Sequence, residues 1–386
     1  MTQYNPVLIA GFSGRALAQS AHRAGFTPFV LDAYGDEDTK ALAKESITDT
    51  SIIGSGFRAK TTMKALSQLR DATQTATPPL ILGAGFEQSP KLIATLETQF
   101  DLKGCHADTV QRVKNPETFF STLHELGVTH PQTLSQESCA DREHNKTWLS
   151  KRIGGMGGLH IDYLDGDTPL APKHYAQEHI SGLSISATAI ATSSHHAFAF
   201  TQSWINAAPD TPFRFGGVVG SVSPDTDLET RLVDTMILLL SAFDLKGLIS
   251  FDFIMADGEL FLLEINPRPT AALDVLDDTQ GTLFKAHLAA ASDDGEAAMQ
   301  LLQSDWQPKT KASAYLYADA GPLTVPQVAW PRWVHDQPKQ GSTIRHYAPI
   351  LTVIAEGDTP ATAVTHTQQR LEHMADVVYD SEKKGG

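Results

Sequence analysis

The sequence predicts a mixed α/β and α+β protein: a parallel-sheet unit first, a larger unit built on a polar β-hairpin next, and a strand-rich C-terminal cap last. Three observations predict it. The first hundred residues alternate strand and helix signals, residues 251–274 read as a hairpin laden with oxygen-bearing side chains, and the tail carries isolated strand runs before a final helix. At 386 residues the chain exceeds the size at which one hydrophobic core stops growing, so two or three packed domains are expected.

The first unit reads as a strand at Val7–Ala10, a helix at Arg15–Ala24, a strand at Pro28–Leu31, a helical stretch at Thr39–Glu45 and a strand at Pro79–Leu82. This βαβ order implies parallel pairing. Gly11, Gly14 and Gly25 punctuate the first turn, and Asp32 ends the second strand. The loop keeps only a G-x-x-G spacing and lacks the full G-x-G-x-x-G, which disfavours a nicotinamide or flavin site. Two readings remain: the glycines let helix and strand approach each other, or the helix N-terminus receives a substrate carboxylate. The glycine-rich loop Leu82–Pro90 follows a strand, where open α/β sheets present ligands, and Glu87 within it is a substrate contact or an exposed acid.

Gly104–Thr133 reads as helical with an extended, proline-containing exit. Trp148–Arg152 is an apolar-flanked strand running into the loop Gly154–Gly158, which holds four glycines in five residues. Glycine backbones can close on a phosphate, and Lys151 at the strand's end supplies a point charge, so Gly154, Gly155, Gly157 and Gly158 are phosphate-loop candidates. Arg152 should point to the opposite face. Arg214 lies between Phe213 and Phe215, ahead of a long helix at Leu228–Phe243, and stacking on those rings is its simplest role.

The most informative stretch is Phe251–Asp274. Asp252 lies in the apolar run Leu248–Met255, Asp257-Gly258 supplies a turn, and Leu260–Ile265 is a second run of strand formers. Folding back brings Asp252 beside Glu264, and the period-two alternation sets Glu264, Asn266 and Arg268 on one face. Carboxylates flanked by leucine and isoleucine are costly to bury unpaired, and hard oxygen donors with an arginine suit Mg²⁺ bound to a polyphosphate. Asp252, Glu264 and Asn266 are therefore the metal candidates.

With the spacing of 12, 2 and 2 residues intact, this hairpin resembles the metal-binding hairpin of the ATP-grasp ligases, including those related to biotin carboxylase and D-alanine ligase. The resemblance implies a Rossmann-like pre-ATP-grasp domain at 1–103, an ATP-grasp nucleotide-binding domain at 104–305 and a C-terminal cap at 306–386. It implies that Lys114 and Lys151 contact phosphate, and that the hinge Tyr175–Gly182, with Gln177, Glu178, His179 and Ile180, receives adenine. Arg268 and Arg214 become the catalytic candidates that compensate charge on the transferred group. Where D-alanine ligase relatives carry a ribose-binding glutamate, this chain has Ser184, which leaves the ribose contacts open. The cofactors implied are ATP and Mg²⁺, with Mn²⁺ as a substitute.

The activity implied is amide formation between a small-molecule carboxylate and an amine through an acyl phosphate, with release of ADP. A narrower resemblance rests on AGFSGRALAQSAHRAG followed by LDAYGDEDT, on SKRIGGMGG and on LLEINPRPTAALD. It is to predicted ATP-dependent carboligases of methylotrophic bacteria, and implies an amino-acid ligase in tetrahydromethanopterin or methanofuran type one-carbon cofactor biosynthesis. Loops 11–15, 32–38 and 83–90, with the segment ending at Asp274, are expected to line the acceptor pocket. The alternatives are a non-catalytic ATP-binding regulatory protein and a Rossmann-type oxidoreductase.

Bulk properties narrow the partners. A net charge of −15 argues against nucleic acid or an anionic membrane, so small molecules are expected, in a monomer or a homo-oligomer. Cys105 and Cys139 are too few for a disulfide framework, and the N-terminus lacks the features of a signal peptide, which suggests the cytoplasm. His195, His196, His160, His174 and His179 lack zinc-ligand company and read as surface or core residues. In the tail, SAYLYA and PILTVIAEG read as strands around a Pro/Trp-rich stretch, a helix follows near Ala363–Met374, and the final SEKKGG is expected to be disordered.

Overall fold

The computed structural model describes residues 4–383. Its first sheet has five parallel strands in the spatial order Glu45–Thr48, Thr27–Asp32, Pro6–Ala10, Pro79–Leu82, Asp101–Leu102. The near-continuous apolar runs of the central strands fit burial on both faces: Val7, Leu8, Ile9, Phe29, Val30 and Leu31 are all buried. The helix Arg15–Arg23 and the strand Pro79–Leu82 lie where the sequence puts them. The helical stretch expected at Thr39–Glu45 is corrected. Its helix is Glu37–Leu42, and Glu45 opens a strand that pairs in parallel with Phe29–Asp32. The β-branched Ile47 and Thr48 favour that pairing, and tertiary contact overrides the helical signal.

The central sheet has eight strands in the order Glu259–Asn266, Gly247–Ala256, Leu183–Ala191, His196–Ile205, Phe215–Val222, Lys311–Tyr317, Pro349–Glu356, Val334–His335. Each neighbouring pair in it is antiparallel. The strand-rich C-terminal region thus continues the same sheet, and adds a two-stranded antiparallel sheet of Leu323–Thr324 and Thr343–Ile344. A smaller antiparallel sheet orders Thr133–Leu134, His174–Glu178, Trp148–Arg152 and Ile161–Tyr163.

One face of the hairpin end of the central sheet is covered by the helix Thr226–Phe243, which buries Leu232, Met236, Leu239, Leu240 and Phe243. Asp225 caps it by accepting the Leu228 N–H. Phe243 packs on Phe119, and Phe251 and Phe253 stack along the strand beneath. That single apolar cluster also reaches Leu8, Phe29 and Leu80 of the first sheet, so the two sheets share a core. The last helix runs Pro360–Lys383, longer than expected at both ends. Ser381–Lys383, expected to be disordered, continue it, and Lys384–Gly386 lie outside the described residues.

Phe251 is fully buried between sheet and helix. Phe251→Ala is expected to cost about 3–5 kcal/mol, read as a lower urea midpoint with retained far-ultraviolet circular dichroism.

Candidate functional site

The hairpin that organises the site turns at Asp257 and Gly258, with φ of 50° and 81°. Two successive left-handed residues make the type I′ geometry that matches strand twist, which is why an Asp-Gly pair stands there. The resulting register sets Asp252 opposite Glu264 and Ser250 opposite Asn266. A register shift follows Asp252, at the level of the two carboxylates.

Around that pair the structure gathers residues from three other elements. Lys114 ends the helix Ala107–Lys114, which stops because Pro116 opens the next helix with Asn115 as its cap. Its ammonium lies 3.5 Å from Glu264 and 3.3 Å from the Asn266 Oδ1. Lys151, 4 % exposed, faces inward from Trp148–Arg152 and donates to Gln177 Oε1 at 3.1 Å. Arg152 faces outward, as alternation requires. Ser186, on the neighbouring strand, donates to Asp252 Oδ1 at 2.6 Å.

Electrostatics divide the two carboxylates. Burial and the charge of Glu264 push Asp252 up to about 6. Burial would also raise Glu264, but Lys114 and Lys151 hold it far below the usual carboxylate range. Burial pulls Lys151 down, yet Tyr175, Glu264 and Asp252 together keep it above the ordinary lysine value. Two acids and two ammoniums thus form one cluster with little net charge.

The donor set fits a hard divalent cation through Asp252 and Glu264. Asn266 differs from expectation: its Nδ2 donates to Asp252 Oδ2 at 2.9 Å and to Glu264 Oε1 at 3.4 Å, while its oxygen faces Lys114. To ligate a metal the amide must rotate. Among the described residues no three acid, imidazole or thiolate side chains converge as a metal site. A cation here would keep water or phosphate oxygens, as Mg²⁺ commonly does.

The glycine loop is held by its own packing. A Cβ on Gly158, whose φ is 73°, would come 1.7 Å from the Phe213 carbonyl oxygen, and one on Gly155 would strike the His160 ring at 2.1 Å. Gly154 lies against Glu87 and Gln88, and Phe215 N–H donates to Gly157 O at 3.0 Å. Gly155 and Gly158 therefore have a steric reason to be glycine before any phosphate is considered. His160 is the residue that sequence reasoning missed. Burial, with Lys151 and Lys114 adding to it against the opposing pull of Glu264, lowers it to about 4, a neutral imidazole at the lysine cluster.

At the hinge, Gln177 is buried and its Nε2 has no hydrogen-bond partner. The Glu178 and His179 N–H groups donate to the Gln132 and Thr147 carbonyls, both at 2.8 Å, so these two amides are not free for a base. Ile180 follows just past the strand His174–Glu178. Ser184 Oγ sits 3.3 Å from Ser203 Oγ.

Of the two catalytic candidates, one is corrected. Arg214 is fully buried, and all five of its N–H donors are engaged: with Asn206 O and Oδ1, with both Asp319 oxygens at 2.9 Å, and with Tyr347 O. It stacks on Tyr317 at 3.8 Å, not on the phenylalanines beside it in sequence. It clamps the central sheet to the C-terminal region and has no donor left for a phosphoryl group. Arg268 is the opposite case. Its Nε pairs with Glu87 from the loop after Pro79–Leu82, and Glu87 Oε2 accepts the Gly85 N–H at 2.7 Å. Burial would raise Glu87, but Arg268 and Lys114 hold it below the ordinary value, so the exposed-acid reading is corrected to a buried ion pair.

The helix N-terminus at Gly14, a candidate for a substrate carboxylate, already has one: Asp32 Oδ2 lies 3.4 Å from the Gly14 N–H. Asp32 Oδ1 accepts from Gly35.

Known proteins share this fold. Residues 114–272 match the ATP-grasp domain family. An uncharacterized protein of Methanocaldococcus jannaschii is 23% identical over 365 residues, spanning 90% of this chain and 88% of that protein. N5-carboxyaminoimidazole synthetase from Staphylococcus aureus, solved with ADP, superposes with a TM-score of 0.66 at 14% identity, covering 96% of this chain and 98% of that one. The biotin carboxylase domain of Hydrogenobacter thermophilus 2-oxoglutarate carboxylase, solved with MgADP and bicarbonate, gives 0.70 at 12% identity over 96% and 90%. At such identities these likenesses establish the fold. No described helix is long and apolar enough to cross a membrane.

Because Arg214 is structural, Arg214→Met is expected to destabilise by about 2–3 kcal/mol, below the usual figure for a broken buried pair because Asp319 is half-exposed. Thermal melts check this. ATP affinity, measured by titration on the folded variant, is expected to stay at the wild-type value.

Proposed function

We propose that this chain, which carries an ATP-grasp domain over residues 114–272, is an ADP-forming ligase that joins a carboxylate to an amine through an acyl phosphate. The observation that carries the reading is the apposition of Asp252 and Glu264 with Lys114 and Lys151 around them. Paired acids supply hard oxygens for a cation, and flanking ammoniums supply point charges for phosphate. The neighbours solved with ADP and with MgADP support the choice of nucleotide and metal.

In this reading Lys151 and Lys114 hold the phosphate chain, Gly154–Gly158 cover it with backbone N–H groups, and the segment around Ile180 receives adenine. Asp252 and Glu264, joined by Asn266 once its amide rotates, would hold Mg²⁺, which neutralises charge on the phosphate oxygens. Arg268 exchanges part of its pairing with Glu87 for the substrate carboxylate, and Glu87 keeps the guanidinium aimed. The carboxylate oxygen attacks the γ-phosphorus and ADP leaves. The amine nitrogen then attacks the acyl carbon, phosphate departs and the nitrogen gives up a proton. No side-chain nucleophile is required, so positioning and charge compensation are the protein's whole task.

The narrower setting, an amino acid joined to a pterin or furan precursor of a one-carbon cofactor, rests on the three motif stretches AGFSGRALAQSAHRAG, SKRIGGMGG and LLEINPRPTAALD. It names the substrates to try first. The eight-stranded antiparallel sheet that carries the site and the incomplete dinucleotide glycine loop leave the oxidoreductase alternative without support.

Glu264→Gln is expected to lower substrate-dependent ADP release by on the order of 10²-fold or more, with the fold intact. Saturating Mg²⁺ and ATP at about a hundred times the dissociation constant should stabilise the wild type by about 2.7 kcal/mol. Calorimetry that finds the same stabilisation in Glu264→Gln, with turnover unchanged, would sink the reading.

A further inference from the structure

The mechanism leaves unused a pocket of carboxylates at the C-terminal ends of the first two strands. Five acids meet there: Asp32 at the end of the strand Thr27–Asp32, Asp36 before the helix Glu37–Leu42 and Asp38 in its first turn, Asp274 from the segment after the hairpin, and Asp336 from the C-terminal region. Arg15 is the cation inside the pocket. It donates to both oxygens of Asp274 and to both of Asp336. Lys40 stands at the exposed margin, and His335, 4.0 Å from Asp38, is held by burial near 4 and therefore neutral.

Four of the acids are accounted for within the chain. Asp274 and Asp336 share Arg15, and Asp336 also accepts from Ser13 and Thr352. Asp32 accepts the Gly14 and Gly35 N–H groups, and Asp38 accepts those of Asp336 and Gln337, both at 3.0 Å. Asp36 is the exception. It is 8 % exposed, it caps its helix only by position, and its buried Oδ2 has no hydrogen-bond partner. Burial and the charges of Asp336, Asp32 and Asp38 push it up to about 9. A buried carboxyl oxygen without a donor, set among three further acids, is a polar group that the chain itself leaves unmet.

We propose that this pocket seats a primary ammonium group of a substrate, with Asp36 as its principal acceptor and Asp32 and Asp38 completing the field. The occupant is taken as an ammonium because the unmet group is a single buried carboxyl oxygen, which an N–H donor satisfies. An –NH₃⁺ group brings three donors and makes lesser demands on geometry. The pocket's place also fits, since open parallel sheets present ligands at the C-terminal ends of their strands. The loops of the two sites touch: Phe12 N–H donates to Ala84 O at 2.8 Å, and the loop beyond Ala84 carries Glu87 on Arg268.

The inference rests on the ligase reading and specifies its substrate class. An amine held protonated by carboxylates cannot attack an acyl phosphate. The ammonium is therefore a recognition group, separate from the reacting carboxylate or nucleophilic amine. One substrate is bifunctional: an amino acid or a diamine.

The test is calorimetric titration of the full chain with 1,4-diaminobutane and L-lysine, against 1,4-butanediol and glutarate as uncharged and anionic comparators. Both amines should bind and the comparators should not. Asp36→Asn should weaken amine binding at least tenfold while Mg²⁺–ATP binding stays unchanged, and Asp36→Glu should restore part of it. Wild-type binding that does not distinguish the diamine from the diol overturns the inference, and this arm needs no variant to fold. Equal amine affinity in wild type and Asp36→Asn overturns it too. Failure of the ligase reading is seen separately, as Mg²⁺–ATP binding indifferent to Glu264→Gln.

Discussion

The constraint on which the rest of the site depends is the placement of two carboxylates, Asp252 and Glu264, directly opposite each other in a mostly apolar hairpin. Like charges at that separation repel, and burial penalises each. The chain answers mostly from outside the hairpin, with Lys114 from a helix end, Lys151 from the small sheet and Ser186 from the neighbouring strand, and adds the Asn266 amide from within it. Each donor comes from a different element, so the repulsion at the centre fixes how several parts of the fold approach one another. A cation and a phosphate chain would take over the same compensation.

A second set of ion pairs joins the first sheet to everything after it. Arg268 reaches Glu87, Arg15 reaches Asp274 and Asp336, and Arg23 reaches Asp277. These pairs are largely buried, and such pairs are weak evidence for stability, because desolvation offsets much of their attraction. Their value lies in register. They set the glycine loops after Pro6–Ala10 and Pro79–Leu82 against the end of the hairpin, where an apolar contact alone would leave them free to slide.

What could be read from the sequence follows from how local each signal is. The hairpin was legible because alternation, an Asp-Gly turn and a fixed spacing lie within 24 consecutive residues, 251–274. The inward Lys151 and outward Arg152 follow from strand alternation alone. Arg214 was misread because its sequence neighbours are phenylalanines, whereas its ring partner is Tyr317 and its acid is Asp319. His160 carries no local signal, since a lone histidine looks the same on a surface and beside two lysines. The acidic pocket was only half legible: the loops that line it could be named, but Asp38 and Asp336 are 298 residues apart and nothing in either segment announces the other.

The two sites differ in how completely the chain satisfies itself, and that difference argues for their roles. At the hairpin both oxygens of Asp252 and both of Glu264 face a lysine, a serine or an amide, so the cluster is stable alone and ready to exchange partners. In the acidic pocket Arg15 and the backbone satisfy four acids and leave Asp36 without a donor. A site that has to hold a common nucleotide and release it benefits from internal partners that return when the ligand leaves. A site that has to choose one small molecule among many benefits from a group that only the right ligand satisfies, because the wrong ligand then leaves a buried carboxyl unpaired. On the proposed reading, balanced charge at one end and a deficit at the other assign the general chemistry to the hairpin and the selection to the first sheet.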